Sequence, residues 1–105
     1  RSRPHSDSAS LTAMAVTIRL YGAYGDFAGG VRSVAVDAPT LRTALDALVA
    51  LHPALRERLR DEHGRLRDHL GVYVNKNEMR FLGGEATRVE DGDVIHLIPA
   101  VSGGR

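Results

Sequence analysis

The sequence predicts an α+β fold, a mixed sheet of four to five strands with one main helix on one face. Three observations carry this. Apolar residues alternate in two early segments and again in the second half of the chain. Between them lies one stretch whose apolar residues recur at helical spacing. The last apolar segment is the densest and ends at a proline. A single amphipathic helix has to cover one face of the sheet that these strands form.

Val16, Ile18 and Leu20 alternate with Thr17, Arg19 and Tyr21, as in a half-buried strand. Gly22, Gly25, Gly29 and Gly30 interrupt the pattern and predict a loose turn. Val31, Val34 and Val36 give a second strand, paired with the first as a hairpin. Pro39 and Thr40 open the helix, with Thr40 as N-cap. Leu41, Leu45, Leu48 and Val49 make its apolar face. Pro53 opens a second short helix carrying Leu55 and Leu59, and Gly64 is expected to end it.

Val72 and Val74 mark a third strand and Asn75-Lys76-Asn77 a turn. Met79 to Leu82 reads as a short strand closed by Gly83-Gly84, and Glu90-Asp91-Gly92-Asp93 as a turn. Val94, Ile95, Leu97 and Ile98 form the last strand, apolar enough to lie inside the sheet. The first and last strands are expected side by side at the centre, in parallel. Pro99 is expected to stop the last strand. Three regions follow: a disordered arm over 1–13, rich in Ser, Arg and His; a folded domain over 14–98; and a flexible tail over 99–105.

Composition narrows the function. The chain has 105 residues, enough for one domain. There is no cysteine, so a disulfide, a thiolate metal site and a side-chain persulfide are all excluded. A net charge of +1 offers no field for nucleic acid or anionic lipid. No apolar run approaches the roughly 20 residues that span a bilayer. The N-terminal stretch lacks the apolar core of a signal peptide, so a cytoplasmic location is expected.

The chemistry points to the tail, Pro99-Ala100-Val101-Ser102-Gly103-Gly104. Glycine has no Cβ and can thread a channel that side chains would block. A terminal carboxylate delivered through such a channel can attack the α-phosphate of ATP. The acyl adenylate so formed reacts with a sulfur nucleophile to give a thiocarboxylate. The plainer reading of a Gly-Gly end is a frayed terminus. Its place six residues beyond an apolar strand, itself preceded by an Asp-Gly turn, argues for the chemical one.

The pattern Val74-Asn75, Met79-Arg80-Phe81, Gly84, Thr87, Asp91-Gly92-Asp93 and Ile98 to Gly104 resembles a known family. It is similar to the sulfur carriers that include the small subunit of molybdopterin synthase (MoaD) and the thiamin carrier (ThiS), and above all to the CysO-type carriers of cysteine synthesis. The resemblance spans about Met14 to Gly104. It implies a ubiquitin-like β-grasp fold and no intrinsic catalysis. It implies adenylation of Gly104 by a MoeB/ThiF-like activating enzyme that uses ATP, with no cofactor held by the carrier. The thiocarboxylate then passes sulfur to a synthase, cysteine-synthase-like or another. In the family an apolar patch on the sheet meets the activating enzyme; by position Tyr21, Met79, Phe81 and Ile98 are the candidates here. Core packing is the alternative for each, and for Ile98 above all.

This chain departs from the pattern by ending in Arg105. Some relatives in the family carry residues after the glycine pair and are trimmed by a JAMM-type zinc metalloprotease, a further expected partner if Arg105 is native. Arg105 is then a residue to be removed; the alternative is an end foreign to the natural protein. Two other functions fit the same tail: a protein modifier joined to lysines, and the small subunit of molybdopterin synthase. An interaction domain with a dispensable tail is the blandest.

Other clusters are weaker. His5, His52, His63, His69 and His96 have no metal-ligand spacing. His96 alternates outward and reads as a surface residue. Arg56, Arg58, Arg60, Arg65 and Arg67 interleave with Glu57, Asp61, Glu62 and Asp68, as on a face laced with ion pairs rather than a nucleic-acid surface.

Overall fold

The computed structural model describes residues 15–99. The arm over 1–13, Met14, and Ala100 to Arg105 lie outside the described residues. The elements run β1 (Ala15–Leu20), α1 (Ala23–Phe27), β2 (Ser33–Asp37), α2 (Leu41–Leu51), α3 (Arg56–Leu59), β3 (Leu70–Val74), β4 (Asn77–Glu78) and β5 (Val94–Pro99). They form one five-stranded sheet in the order β2-β1-β5-β3-β4.

β1 and β5 pair in parallel near the centre, with Ile18 beside Ile95 and Leu20 beside Leu97. β2 runs antiparallel to β1 with Val34 opposite Ile18, and β3 runs antiparallel to β5 with Val72 opposite Leu97. A period of two sends Val16, Ile18, Leu20, Val72, Val74, Ile95 and Leu97 to one face, where all are buried. α2 covers that face with Leu41, Ala44, Leu45 and Leu48. Val49, expected on the same stripe, packs only at its margin. No polar or charged residue is buried among the described residues.

α2 starts where its chemistry allows. The Thr40 hydroxyl accepts from the Thr43 N–H, and Thr43 Oγ1 accepts from the Thr40 N–H, a reciprocal capping box. The Leu41 N–H, another free donor of the first turn, donates to the Thr87 carbonyl at 2.9 Å.

Four local expectations are corrected. The glycine-rich stretch after β1 is not a loose turn: it contains α1, which buries Tyr24 and Gly25. Burying the Tyr24 ring outweighs the poor helix propensity of its neighbours. Burial also pushes the Tyr24 phenol up from its ordinary pKa. Arg58 lies over the Phe27 ring at 4.1 Å and ties α1 to α3.

The second helix begins at Pro53 as a 3-10 turn, continues as α3, and ends at Leu59 rather than Gly64. Arg60 is extended and bridges to Leu66. Its guanidinium forks onto the Glu85 carboxylate, with one N–H···O distance of 3.0 Å, and also reaches the Gly64 carbonyl. Asp61 closes the turn that follows. Its Oδ1 accepts from the Arg65 and His63 N–H groups, which hold its carboxyl below the usual carboxylate range.

Met79–Phe81 is a 3-10 turn, and the short strand is Asn77–Glu78 instead. The strand is short because β4 pairs only with Tyr73 and Val74. Finally, Pro99, expected as the first residue of the tail, belongs to β5. It is the strand's last residue, opposite Leu70.

Most of the sequence pattern proves to be intrachain ties. Asn75, with φ 58°, donates from its side-chain amide to Asp93 Oδ1 and accepts the Val94 N–H. Its own N–H donates to the Val94 carbonyl at 2.7 Å. Asp91 Oδ1 accepts the Ala15 N–H, and Asp93 Oδ2 accepts the Glu90 N–H. Gly92, at φ 92°, supplies the turn between them and donates to the Ala15 carbonyl. Thr87 Oγ1 donates to the Gly84 carbonyl and accepts the Gly83 N–H.

Candidate functional site: the root of the tail and the open sheet face

Among the described residues, no helix covers the face of the sheet turned away from α2. Register places Arg19 of β1 beside His96 of β5, with Tyr73 of β3 on the other side. Tyr21 follows β1 and donates its N–H to the Leu97 carbonyl, so it continues the same face beside Ile98. Gly71 lies opposite Ile98 and has no side chain to cover it. A half-buried apolar patch of Tyr21 and Ile98 results, rimmed by Arg19, Tyr73 and His96.

Tyr21 Oη and His96 Nδ1 share a hydrogen bond of 2.8 Å, with their rings 5.7 Å apart. Arg19 stands 5.9 Å from the Tyr21 ring centroid. His96 does point away from the core as expected, but it is half-buried and partnered rather than solvated. Sequence reasoning did not group Arg19, Tyr73 and His96 with the patch. The signal was present: parallel pairing of the first and last strands puts residues 19 and 96 on one face.

The other two patch candidates lie elsewhere. Met79 is partly buried and packs against the core. Phe81 is 82% exposed, although Glu78 and Arg80 beside it are paired at 2.6 Å. Every neighbour of Phe81 in the sequence pattern has an intrachain partner or a turn to make. Phe81 shares the 3-10 turn, but its ring stays exposed beside the exposed Leu82, so the two form a small apolar surface at that turn.

The root of the tail is tightly placed. Gly22 has φ 57°, and a Cβ built there would stand 2.9 Å from Pro99 Cγ. Only glycine meets both demands without strain. Pro99 is thus held between Gly22 and Leu70, at the end of the strand that leads into Ala100, Val101, Ser102, Gly103, Gly104 and Arg105. Those six residues lie outside the described residues.

Among the described residues, no cluster of three or more His, Asp or Glu could hold a metal ion, and no helix is long and apolar enough to cross a membrane. A surface hollow beside α3 is lined by Arg56, Glu57, Arg60, Asp61, Glu62 and Arg67, of both signs.

The model of the ThiS family matches residues 18–104. The chain belongs to the ThiS family. It is 37% identical over 93 residues to the sulfur carrier protein CysO of Mycobacterium tuberculosis, covering 87% of this chain and 100% of the relative. It is 47% identical over 78 residues to small archaeal modifier protein 1 of Haloferax volcanii, covering 71% of this chain and 85% of that one. Among solved structures it resembles that of the Amycolatopsis orientalis BexX/CysO complex, with a TM-score of 0.77 at 34% identity, covering 86% of this chain and 100% of that one. The β-grasp architecture expected from the sequence is the fold of these ThiS-family and ubiquitin-like relatives.

Proposed function

We propose that this chain is a sulfur carrier and that its reacting group is the carboxylate of Gly104. A MoeB/ThiF-like enzyme binds the tail and ATP. The carboxylate attacks the α-phosphorus and pyrophosphate leaves; sulfide then attacks the carbonyl carbon of the acyl adenylate, the C–O bond to AMP breaks, and AMP leaves a thiocarboxylate. A biosynthetic enzyme for cysteine, a cofactor or a secondary metabolite then takes the sulfur. The carrier supplies reach, a thin cross-section and a carboxylate. It is a co-substrate in the cytoplasm and binds no cofactor of its own.

The observation that carries this reading is the extent of the family match, which runs through Gly104 and leaves Arg105 outside. While Arg105 remains attached, Gly104 has no free carboxylate to offer. Removal of Arg105, by a JAMM-type metalloprotease, is part of the proposal. The open face of Tyr21, Ile98 and His96 meets the activating enzyme, with Met79 and Phe81 as further contacts. The similarity to CysO in the BexX/CysO complex supports a protein partner for this chain too.

The test compares the chain ending at Gly104 with the chain ending at Arg105, each incubated with the activating enzyme, ATP and sulfide. The shorter chain is expected to support pyrophosphate exchange and to gain the mass of one sulfur in place of one oxygen. Equal exchange by both chains would sink the processing step; no exchange by the shorter chain would sink the carrier reading. A second reading, a modifier joined to lysines of other proteins, is favoured by the similarity to small archaeal modifier protein 1. Protein adducts in place of a free thiocarboxylate would select it.

A further inference from the structure

Of the 14 lysine and arginine residues in the chain, one is a lysine, Lys76, and there is no cysteine. An arginine guanidinium stays protonated and does not attack acyl groups, whereas the neutral form of a lysine amine does. Lys76 is therefore the chain's single side-chain amine. It is also presented. It sits at the tip of the β3–β4 hairpin, exposed, next to Asn75 in its left-handed conformation. The Asn75 ties to Asp93 and Val94 fix that tip against the start of β5. None of the ion pairs among the described residues engages it.

The tip lies at the opposite end of β5 from the tail. The Asn75 N–H meets Val94 at the strand's start, while Pro99 at its finish stands opposite Leu70. From Leu70 to Lys76 the extended chain runs about 20 Å. Ala100 to Gly104 would span at most about 18 Å, and β5 points away from the hairpin at Pro99. The tail of a second copy meets Lys76 without having to fold back along its own strand.

We propose that Lys76 accepts the activated carboxyl terminus of a second copy, so that copies join head to tail through a Gly104–Lys76 isopeptide bond. The inference rests on the adenylation of Gly104 proposed above. The neutral Lys76 Nζ attacks the carbonyl carbon of the acyl adenylate. A C–N bond forms, the C–O bond to AMP breaks, and AMP and one proton leave. ATP supplies the adenylate and no oxidant or reductant is needed. Sulfide and Lys76 compete for one intermediate, so the isopeptide forms where sulfide is scarce. One donor and one side-chain acceptor per copy make the product linear, without branches at side chains.

The chain ending at Gly104 is incubated with its activating enzyme, ATP and magnesium, with and without sulfide. Without sulfide, a ladder of dimers and longer species is expected, and tryptic peptide mapping is expected to place the tail peptide 89–104, which holds no internal Lys or Arg, on Lys76. Sulfide is expected to suppress the ladder. Lys76→Arg keeps the charge and is expected to lose the ladder while pyrophosphate exchange continues unchanged. A ladder undiminished in Lys76→Arg overturns the proposal, as does the absence of a ladder in the parent chain while exchange proceeds. Absence of exchange in every chain overturns the carrier reading, and this proposal with it.

Discussion

Gly22 joins the fold to the tail. Its φ of 57° is one demand, and the 2.9 Å between Pro99 Cγ and the place a Cβ would take is another; mutation can separate them. Gly29 has φ 73° with open space around it, so Gly29→Ala reports backbone strain alone. A residue held in a sparsely populated conformation costs about 1–3 kcal/mol. Gly22→Ala is expected to cost that and the displacement of Pro99 besides. Thermal unfolding of the two variants should show Gly22→Ala as the more destabilised, and its exchange activity below the unfolding range should fall where that of Gly29→Ala does not. Equal behaviour of the two would remove the steric role given to Pro99. From sequence, Gly22 is only one of four glycines in a turn. Its particular role depends on a residue 77 positions away, which no local pattern reveals (99 minus 22).

At the scale of elements, legibility followed the physics that makes each one. β1, α2 and β5 draw their stability from long periodic apolar patterns, and all three stand where those patterns put them. α1, β4 and the 3-10 turn at Met79–Phe81 are short and owe their shape to a few particular contacts, such as Tyr24 in the core and Glu78 opposite Tyr73. Propensity favours the glycine-interrupted stretch around α1 as coil, and tertiary burial overrides it. The open face was legible in half. Tyr21 and Ile98 come from their position in the family resemblance, with burial the alternative for Ile98, and their company with His96 needs the strand register. The N-cap of α2 was legible because capping is local. Thr40→Ala removes the acceptor for the Thr43 N–H and one half of the capping box. It is expected to cost about 1 kcal/mol, a fall in Tm of about 4–8 °C for a domain of this size. An unchanged Tm would mean that the Leu41 bond to Thr87 fixes the start of the helix by itself.

For the whole molecule, stability and reactivity are assigned to different stretches of chain. The buried core runs from Val16 to Leu97, and the ties that hold the hairpin tips and the Gly64 turn lie within the same span. The reacting group proposed here lies beyond it, at Gly104. Such a division suits a protein whose end must enter another protein's active site: the end can be remade chemically without touching the core. Marginal domain stability leaves little room for a terminus that is both structural and consumed. Deleting Gly103 to Arg105 is therefore expected to leave the unfolding midpoint where it was, and to abolish pyrophosphate exchange with the activating enzyme. Calorimetry and the exchange assay on the same preparation check both halves. A lowered midpoint would make the tail part of the fold, and any loss of exchange would then need to be measured again at a temperature where the shortened chain is fully folded. Surviving exchange would take the chemistry away from the glycine pair altogether.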